Sequence, residues 1–401
     1  MNLTRIILAT SLLLAWQDAA LAYDVWNQKA NFGGPARHRC VAFAIGNKGY
    51  MGLGHINAVT DILFEDIWEY DPATNSWSQK ANFGGGLRYH SFGFTIGNKG
   101  YVGTGRMPSG VYENDCWEFD PVANTWLQRA DMPGALRRGA VSFVIDNIGY
   151  VGSGQVQSGI SNEFFAFNPV TNSWQQKATF PGATRTSAVA FAIDGKGYFG
   201  TGGMGTGTKD FWEYDPQTNM WTQKADVGPT ARLEATGFAV NGKGYIGTGV
   251  DMSSGNNFGD MWQYNVSTNT WTQVEDFGGI KRRYLASMVI GTKVYAGTGT
   301  NGTNFRDFWE FDQLLSIGNQ NDLENSFQVY PNPITDIFTV KIIANMEAEF
   351  SLYNQLGQIV FAQSLVDEST TIDRNNIAAG HYIYAIRISD KIIKADHLIF
   401  N

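Results

Sequence analysis

Tryptophan recurs along this chain with a period that few folds can accommodate. Trp26, Trp77, Trp126, Trp174, Trp221 and Trp271 stand 47–51 residues apart, and Trp68, Trp117, Phe165, Trp212, Trp262 and Trp309 form a parallel aromatic series. Between them recur an apolar run such as VAFAI (41–45), a turn of the GNKGY type (46–50) and a Gly-x-Gly. The Gly-x-Gly falls at Gly52/Gly54, Gly103/Gly105, Gly152/Gly154, Gly200/Gly202, Gly247/Gly249 and Gly297/Gly299. The Asn-Lys and Gly-Lys turns suit a tight hairpin that needs positive φ. A second hairpin, DIWEY to SWSQKA, closes around DPATN, whose Asp, Pro and Asn each favour a turn. Each unit therefore reads as four short strands. Self-similarity at such a period marks a repeat architecture, and four strands per unit is the blade of a β-propeller.

The two ends of the array differ in a way that predicts how it closes. The first tryptophan strand, VWNQKA (25–30), precedes unit one, whereas the last unit stops at DFWEFD (307–312) without such a strand. The N-terminal strand is expected to complete blade six, which removes the open edges that would otherwise template aggregation. The expected fold is all-β, with a six-bladed propeller over residues 23–312. A glycine pair closing the second strand, followed by Tyr-Asp-Pro-x-x-Asn-x-Trp, resembles the kelch repeat. Gly202-Gly203 is the nearest match to that family's Gly-Gly; elsewhere Gly-x-Gly stands in its place.

Residues 1–22 read as a secretory leader. Arg5 precedes an apolar run from Ile6 to Trp16 and an Ala20-Leu21-Ala22 cleavage site. That run is short of the roughly 20 apolar residues a membrane span needs, and no later segment resembles one. Residues 313–326 form a polar linker without repeat features. Residues 327–401 change to alternating apolar strands, which predict a small β-sandwich. This segment resembles the C-terminal sorting domain of type IX secretion substrates, carried by Tyr330-Pro331-Asn332-Pro333, Leu356-Gly357, Ala379-Gly380-His381-Tyr382 and a closing strand from Lys391 to Lys394. His381 stands where that family often has an aliphatic residue. The resemblance implies export through the periplasm, handling by the type IX machinery, and release or retention at the outer-membrane surface.

Composition narrows the function classes. The net charge of −8 argues against a nucleic-acid partner, which needs a basic footprint. Cys40 and Cys116 are the only cysteines; each is expected within a strand of a different repeat, as a free thiol rather than part of a disulfide framework.

Repetition also sorts residues by role. Arg37, Arg88, Arg137, Arg185, Arg232 and Arg282 each precede an inner strand, and Asp66, Asp115, Glu163, Asp210, Asp260 and Asp307 each open a third strand. Twelve residues in such step are expected to form structural Arg–carboxylate pairs, which suit crowded strand ends. Two residues past each arginine the pattern dissolves into Arg39, His90, Gly139, Ser187, Glu234 and Tyr284; the position between carries His38, Tyr89, Arg138, Thr186, Leu233 and Arg283. These positions and the loops after each Gly-x-Gly are expected at the mouth of the central channel. Arg39, His90, Arg138, Glu234, Arg283 and Tyr284 are the candidate ligand-binding residues, suited to the hydroxyls of a glycan or the carboxylates of a protein partner.

No cofactor is expected. His38, His55 and His90 fall on the same face but lack close ligand spacing, so no metal site is expected either. The copper oxidases of the kelch class need a ligand set that cannot be matched here. A second reading is a sugar mutarotase or epimerase, similar to the N-acetylneuraminate epimerases. There Glu234 would move the proton while Arg39, His90 or Arg283 steadies an anionic sugar. Glycosidase chemistry would want two carboxylates, and the mouth offers Glu234 and Asp251.

Overall fold

The structure is a computed structural model that describes residues 25–57, 61–312, 327–342, 348–374, 377–388 and 391–401. The expected leader and linker lie outside these residues. The chain divides into two compact units, one of them Trp26–Asp312 and the other holding the C-terminal strands.

Among the described residues the first unit contains six antiparallel blade sheets and one small antiparallel pair, His55–Ile56 with Ile62–Leu63. In blade one, Val41–Ile45, Lys48–Gly52, Ile67–Asp71 and Ser76–Gln79 pair in sequence order. Four further sheets repeat this meander. In the last, Val25–Lys29 lies beside Phe308–Asp312, outside Lys293–Gly297 and Ala286–Ile290. The inner strands neighbour one another in a cycle, with Val41–Ile45 between Phe92–Ile96 and Ala286–Ile290. Six apolar clusters fill the wedges between adjacent sheets. Phe43, Tyr50 and Phe119 pack between blades one and two; Trp26, Phe238 and Phe311 pack between five and six. Burial of such rings is the main stabilising term in a sheet-on-sheet fold.

Blade two departs from its siblings. Its hairpin Lys99–Arg106/Tyr112–Asp120 is longer than the others, and Glu113 pairs with Arg137 of the Arg137–Arg138 segment. That segment in turn pairs with Gln155 and Val156. Cys116 lies in this hairpin, but Cys40 precedes its strand rather than lying within it. Both cysteines are free.

The repeated glycines have a steric cause. A Cβ at Gly52 would stand 2.0 Å from the Asp66 carbonyl oxygen, so any side chain would push the second and third strands apart. The residue inside each Gly-x-Gly is left-handed, with φ between 55 and 62° at Leu53, Thr104, Ser153, Thr201, Thr248 and Thr298. This is an unfavourable region for β-branched threonine. Something must hold the bend, and the buried arginines do so.

In the C-terminal unit, Phe327–Tyr330, Ile337–Ile342 and Ser369–Asp373 form one sheet; Ile359–Leu365, Ala348–Tyr353, Gly380–Ile388 and Lys391–Phe400 form another. Phe338, Phe350, Leu352, Ile386 and Leu398 are among its buried core. Asn332 ties the Tyr330–Pro333 motif to the last strand: its amide donates to the His397 carbonyl (2.9 Å), and its Oδ1 accepts from Ile399 N (3.0 Å). Pro331 and Pro333 both follow cis bonds. Gly357 turns at φ 77°, and the Tyr382 hydroxyl donates to the Ala378 carbonyl, just before Gly380. Lys391 pairs through its backbone with Ile388, while Lys394 Nζ donates to Phe327 O (2.8 Å).

Candidate functional site

The six repeated arginines are all buried, with side chains at most 2% exposed. Each donates from Nη1 to the carbonyl of the left-handed residue in its own Gly-x-Gly, at 3.0–3.2 Å. Each also pairs with the carboxylate that opens the third strand. Arg37 meets Asp66; the other pairs are Arg88–Asp115 (2.6 Å), Arg137–Glu163 (3.0 Å), Arg185–Asp210 (2.6 Å), Arg232–Asp260 (2.7 Å) and Arg282–Asp307 (2.5 Å). The same carboxylates accept from the indole N–H of Trp68, Trp117, Trp212, Trp262 and Trp309. Burial alone would raise Asp210 and Asp260, yet the arginine and indole hydrogen bonds hold both below the usual carboxylate range. These arginines are consumed in bracing the bends.

Two residues further along, the backbone does the same thing six times while the side chains differ. Arg39, His90, Gly139, Ser187, Glu234 and Tyr284 all adopt left-handed φ, between 55 and 62°. For an L residue this costs about 1–2 kcal/mol. Hydrogen bonds between blades hold the conformation: His90 N to Arg39 O (3.4 Å), Gly139 N to His90 O (2.8 Å), Glu234 N to Ser187 O (3.0 Å) and Tyr284 N to Glu234 O (2.8 Å). The result is a ring of six unlike side chains on one rigid backbone circle.

Above this ring opens a cavity of about 200 Å³, lined among others by Arg39, His90, Arg138, Ser187, Glu234 and Tyr284. Arg39 is caged. Its Nη1 donates to His55 Nε2 (3.0 Å) and its Nη2 to the Tyr284 hydroxyl (3.0 Å), with the guanidinium 4.4 Å from the Tyr284 ring centroid. The His38 and His55 rings are 4.3 Å apart, and His55 lies 4.0 Å from Tyr89. Burial and the Arg39 charge lower His38 to about 3 and His55 to about 4, and push His90 well below its ordinary value. These imidazoles are neutral at physiological pH. Among the described residues no group of three or more His, Cys, Asp or Glu is arranged to hold a metal ion.

Glu234 is already engaged: the Tyr284 hydroxyl donates to Oε1, and Arg283 Nε lies 3.1 Å from Oε2. Arg283 thus faces Glu234 and is not among the residues lining the cavity. Arg138 is turned into the cavity and reaches Gln155 Oε1 at 2.6 Å. Asp251 caps its own loop through Ser253 and Ser254 and is also absent from the lining. Gln155 and Met252, which do line it, belong to loops whose inward fold no local sequence signal marks.

Comparison with known proteins agrees with this architecture. Residues 88–246 match the KLHDC2/KLHL20/DRC7 Kelch-repeats domain, and residues 328–400 match the secretion system C-terminal sorting domain. The structure of YjhT aligns with a TM-score of 0.60 at 18% identity, over 70% of this chain and 95% of that one. At that identity the likeness speaks for fold alone. The ulvan lyase NLR42 of Nonlabens ulvanivorans is 36% identical over 78 residues, 19% of this chain, and the chain spans 14% of that relative's length. The chain thus carries a kelch-repeat domain in an all-β fold. A type IX sorting domain follows it, which makes this an exported kelch protein of the secreted or outer-membrane-surface class. No helix among the described residues is long and apolar enough to cross a membrane.

Proposed function

We propose that this exported kelch protein is a binding module whose channel mouth holds an anionic group of a glycan or protein ligand. The observation that carries the reading is the charge of the cavity wall. Arg39 and Arg138 face it against one carboxylate, Glu234, which Arg283 already neutralises. An unbalanced guanidinium pair in a half-enclosed cavity favours a carboxylate, which arginine can grip with two parallel hydrogen bonds. The sorting domain would then act as an address for the type IX machinery and contribute nothing to the ligand site.

The mutarotase or epimerase reading places proton transfer on Glu234. Its Oε1 accepts from the Tyr284 hydroxyl and its charge is balanced by the Arg283 ion pair, although Oε2 accepts no hydrogen bond among the described residues. A carboxylate held in this way favours binding over turnover. The test is the thermal shift of the chain from Tyr23 against sugar acids, neutral glycans and acidic peptides. The expected outcome is a rise in melting temperature with anionic ligands alone, lost in Arg39→Ala/Arg138→Ala. A rise with neutral glycans that survives in that variant would refute the reading. Turnover abolished by Glu234→Gln would replace binding with catalysis.

A further inference from the structure

The strand Ile359–Leu365 lies at the edge of its sheet in the C-terminal unit, paired with Ala348–Tyr353 on one side. Among the described residues no strand lies on its other side, so a row of backbone N–H and C=O groups is left without a ladder partner. From Asn354 to Val366 the chain carries neither charge nor proline. Leu356 is 82% exposed, Val366 67% and Ile359 58%. The turn that presents Leu356 is well tied: Leu356 N donates to Asn354 Oδ1 (2.9 Å), and Gln358 N donates to the same oxygen (3.0 Å).

Other edges of the molecule are guarded. The outer strands of the six blade sheets are four or five residues long. Each ends in, or runs straight into, a charged residue: Lys29, Lys80, Arg129, Lys177, Lys224 and Glu275. In the C-terminal unit, Lys391–Phe400 carries Lys394, Asp396 and His397, Phe327–Tyr330 runs into Pro331, and Ser369–Asp373 ends in Asp373. Charge, proline and shortness are the usual means of keeping an edge unpaired. Ile359–Leu365 spans seven residues and uses none of them along its length. An uncharged run of this kind, rich in β-formers, readily accepts a further strand.

We infer that this edge is a self-association surface, on which a second copy of the chain pairs antiparallel about a two-fold axis at Gln363. A two-fold contact sets each residue against its counterpart across the axis. With Gln363 opposite itself, Val360 meets the partner's Val366, Phe361 meets the partner's Leu365, and Ala362 meets the partner's Ser364. Phe361 and Leu365 both belong to the core side of their sheet, so the apolar face continues across the seam. The acidic flank, Asp367 and Glu368, comes beside the partner's uncharged Ile359 and Gln358. In a parallel pair those acids would meet, and like charges directly opposite are destabilising. An uncharged centre with acid at one end only is therefore suited to an antiparallel pair of identical strands. A seam of this length is well below a standard interface, so the dimer forms where many copies are concentrated, as on a shared cell surface. It is independent of the channel mouth.

The test is sedimentation equilibrium of the chain from Tyr23 across a wide concentration range, with deuterium exchange followed at both ends of the range. The weight-average mass should climb from one chain toward two. Exchange at Ile359–Leu365 should slow as it does, while Ser369–Asp373, an edge of the other sheet, stays unchanged. Gln363→Lys and Gln363→Glu each place like charges on the axis and should remain at the mass of one chain. An equimolar mixture of the two should restore the wild-type rise, which a merely structural defect would not do. Should either variant fold poorly, the concentration dependence of wild-type exchange decides alone. A wild type that stays monomeric with unaltered exchange would overturn the inference and leave the edge to a foreign strand. A dimer that persists in both variants, a mixture that stays monomeric, or protection that appears elsewhere would overturn it as well.

Discussion

Arg232 and Glu234 are two residues apart in one blade, yet they belong to different kinds of structure. Arg232 is fully buried, donates to the Thr248 carbonyl and pairs with Asp260, as its five counterparts do in their blades. Glu234 has the same left-handed backbone as its five counterparts, but none of them shares its side chain. The first position is repeated because each blade must brace the same bend. At the second, the backbone is what repeats, and the side chain is left free to serve a ligand. The propeller thus keeps its strain and its chemistry on adjacent but separate circles.

The sharpest way to break this contrast is to substitute both positions in the same blade. Arg232→Ala leaves the Asp260 carboxylate without its partner and should cost about 3–5 kcal/mol, the usual penalty for breaking a buried pair. Glu234→Gln keeps the shape and a hydrogen-bonding oxygen, and should cost about 1–2 kcal/mol or less. Urea denaturation midpoints would compare them. Equal losses would mean that the ring, too, is structural.

Acid should strike the buried histidines in and around the variable circle before the repeated one. His38, His55 and His90 have folded pKa values below the unfolded value of about 6.5. The unfolded chain therefore takes up protons that the folded chain cannot, and stability falls as pH drops from about 6.5 toward 4. Asp210 and Asp260, also depressed, add their loss only as pH falls below about 4. Melting temperature against pH should begin to decline in the histidine window, and His38→Gln/His55→Gln should flatten that first decline. A wild-type curve level down to pH 4 would contradict the buried neutral imidazoles.

How much of this was legible in the chain follows from what repeats. The strands, the glycines and the Arg–carboxylate partners stand in step, so six copies expose them. The candidate residues Arg39, His90, Arg138, Glu234 and Tyr284 gather around one cavity because sixfold register carries equivalent positions to one circle. Register cannot say where a side chain points, which is why Arg283 turns to Glu234 and Asp251 folds into its own loop. The left-handed ring was invisible, since only Gly139 offers the residue type that usually signals positive φ. The caging of Arg39 depends on His55 and Tyr284, which the fold brings together from different blades.

The smaller predictions concern how blades are latched. Asn172 Oδ1 accepts from Ala130 N (2.9 Å), and the Trp174 indole donates to Ala130 O (2.8 Å); four other blade pairs repeat both bonds. Asn172→Ala should cost about 1 kcal/mol, and Asn172→Gly, which keeps the φ of 49° accessible, somewhat less. At the closing seam, the buried Trp26 indole N–H has no hydrogen-bond partner among the described residues. Amides of Val25–Lys29 should accordingly exchange with deuterium about 5–10-fold faster than those of Ser173–Lys177, the effect of one missing bond. Equal protection would show that the seam is held by apolar packing alone.

The central claim is that ligand recognition belongs to the variable circle and its cavity. The most direct measurement is calorimetric titration of an anionic glycan into three proteins: the wild type, Arg138→Ala, and Lys196→Ala. Arg138 lines the mouth cavity, whereas Lys196 begins the strand Lys196–Gly200 at the end away from the mouth and pairs with Asp215. The account predicts binding by wild type and Lys196→Ala, weakened at least tenfold in Arg138→Ala, the loss expected for one charge-assisted hydrogen bond of about 1.5–3 kcal/mol. Binding that persists in Arg138→Ala, or that falls equally in both variants, would contradict it.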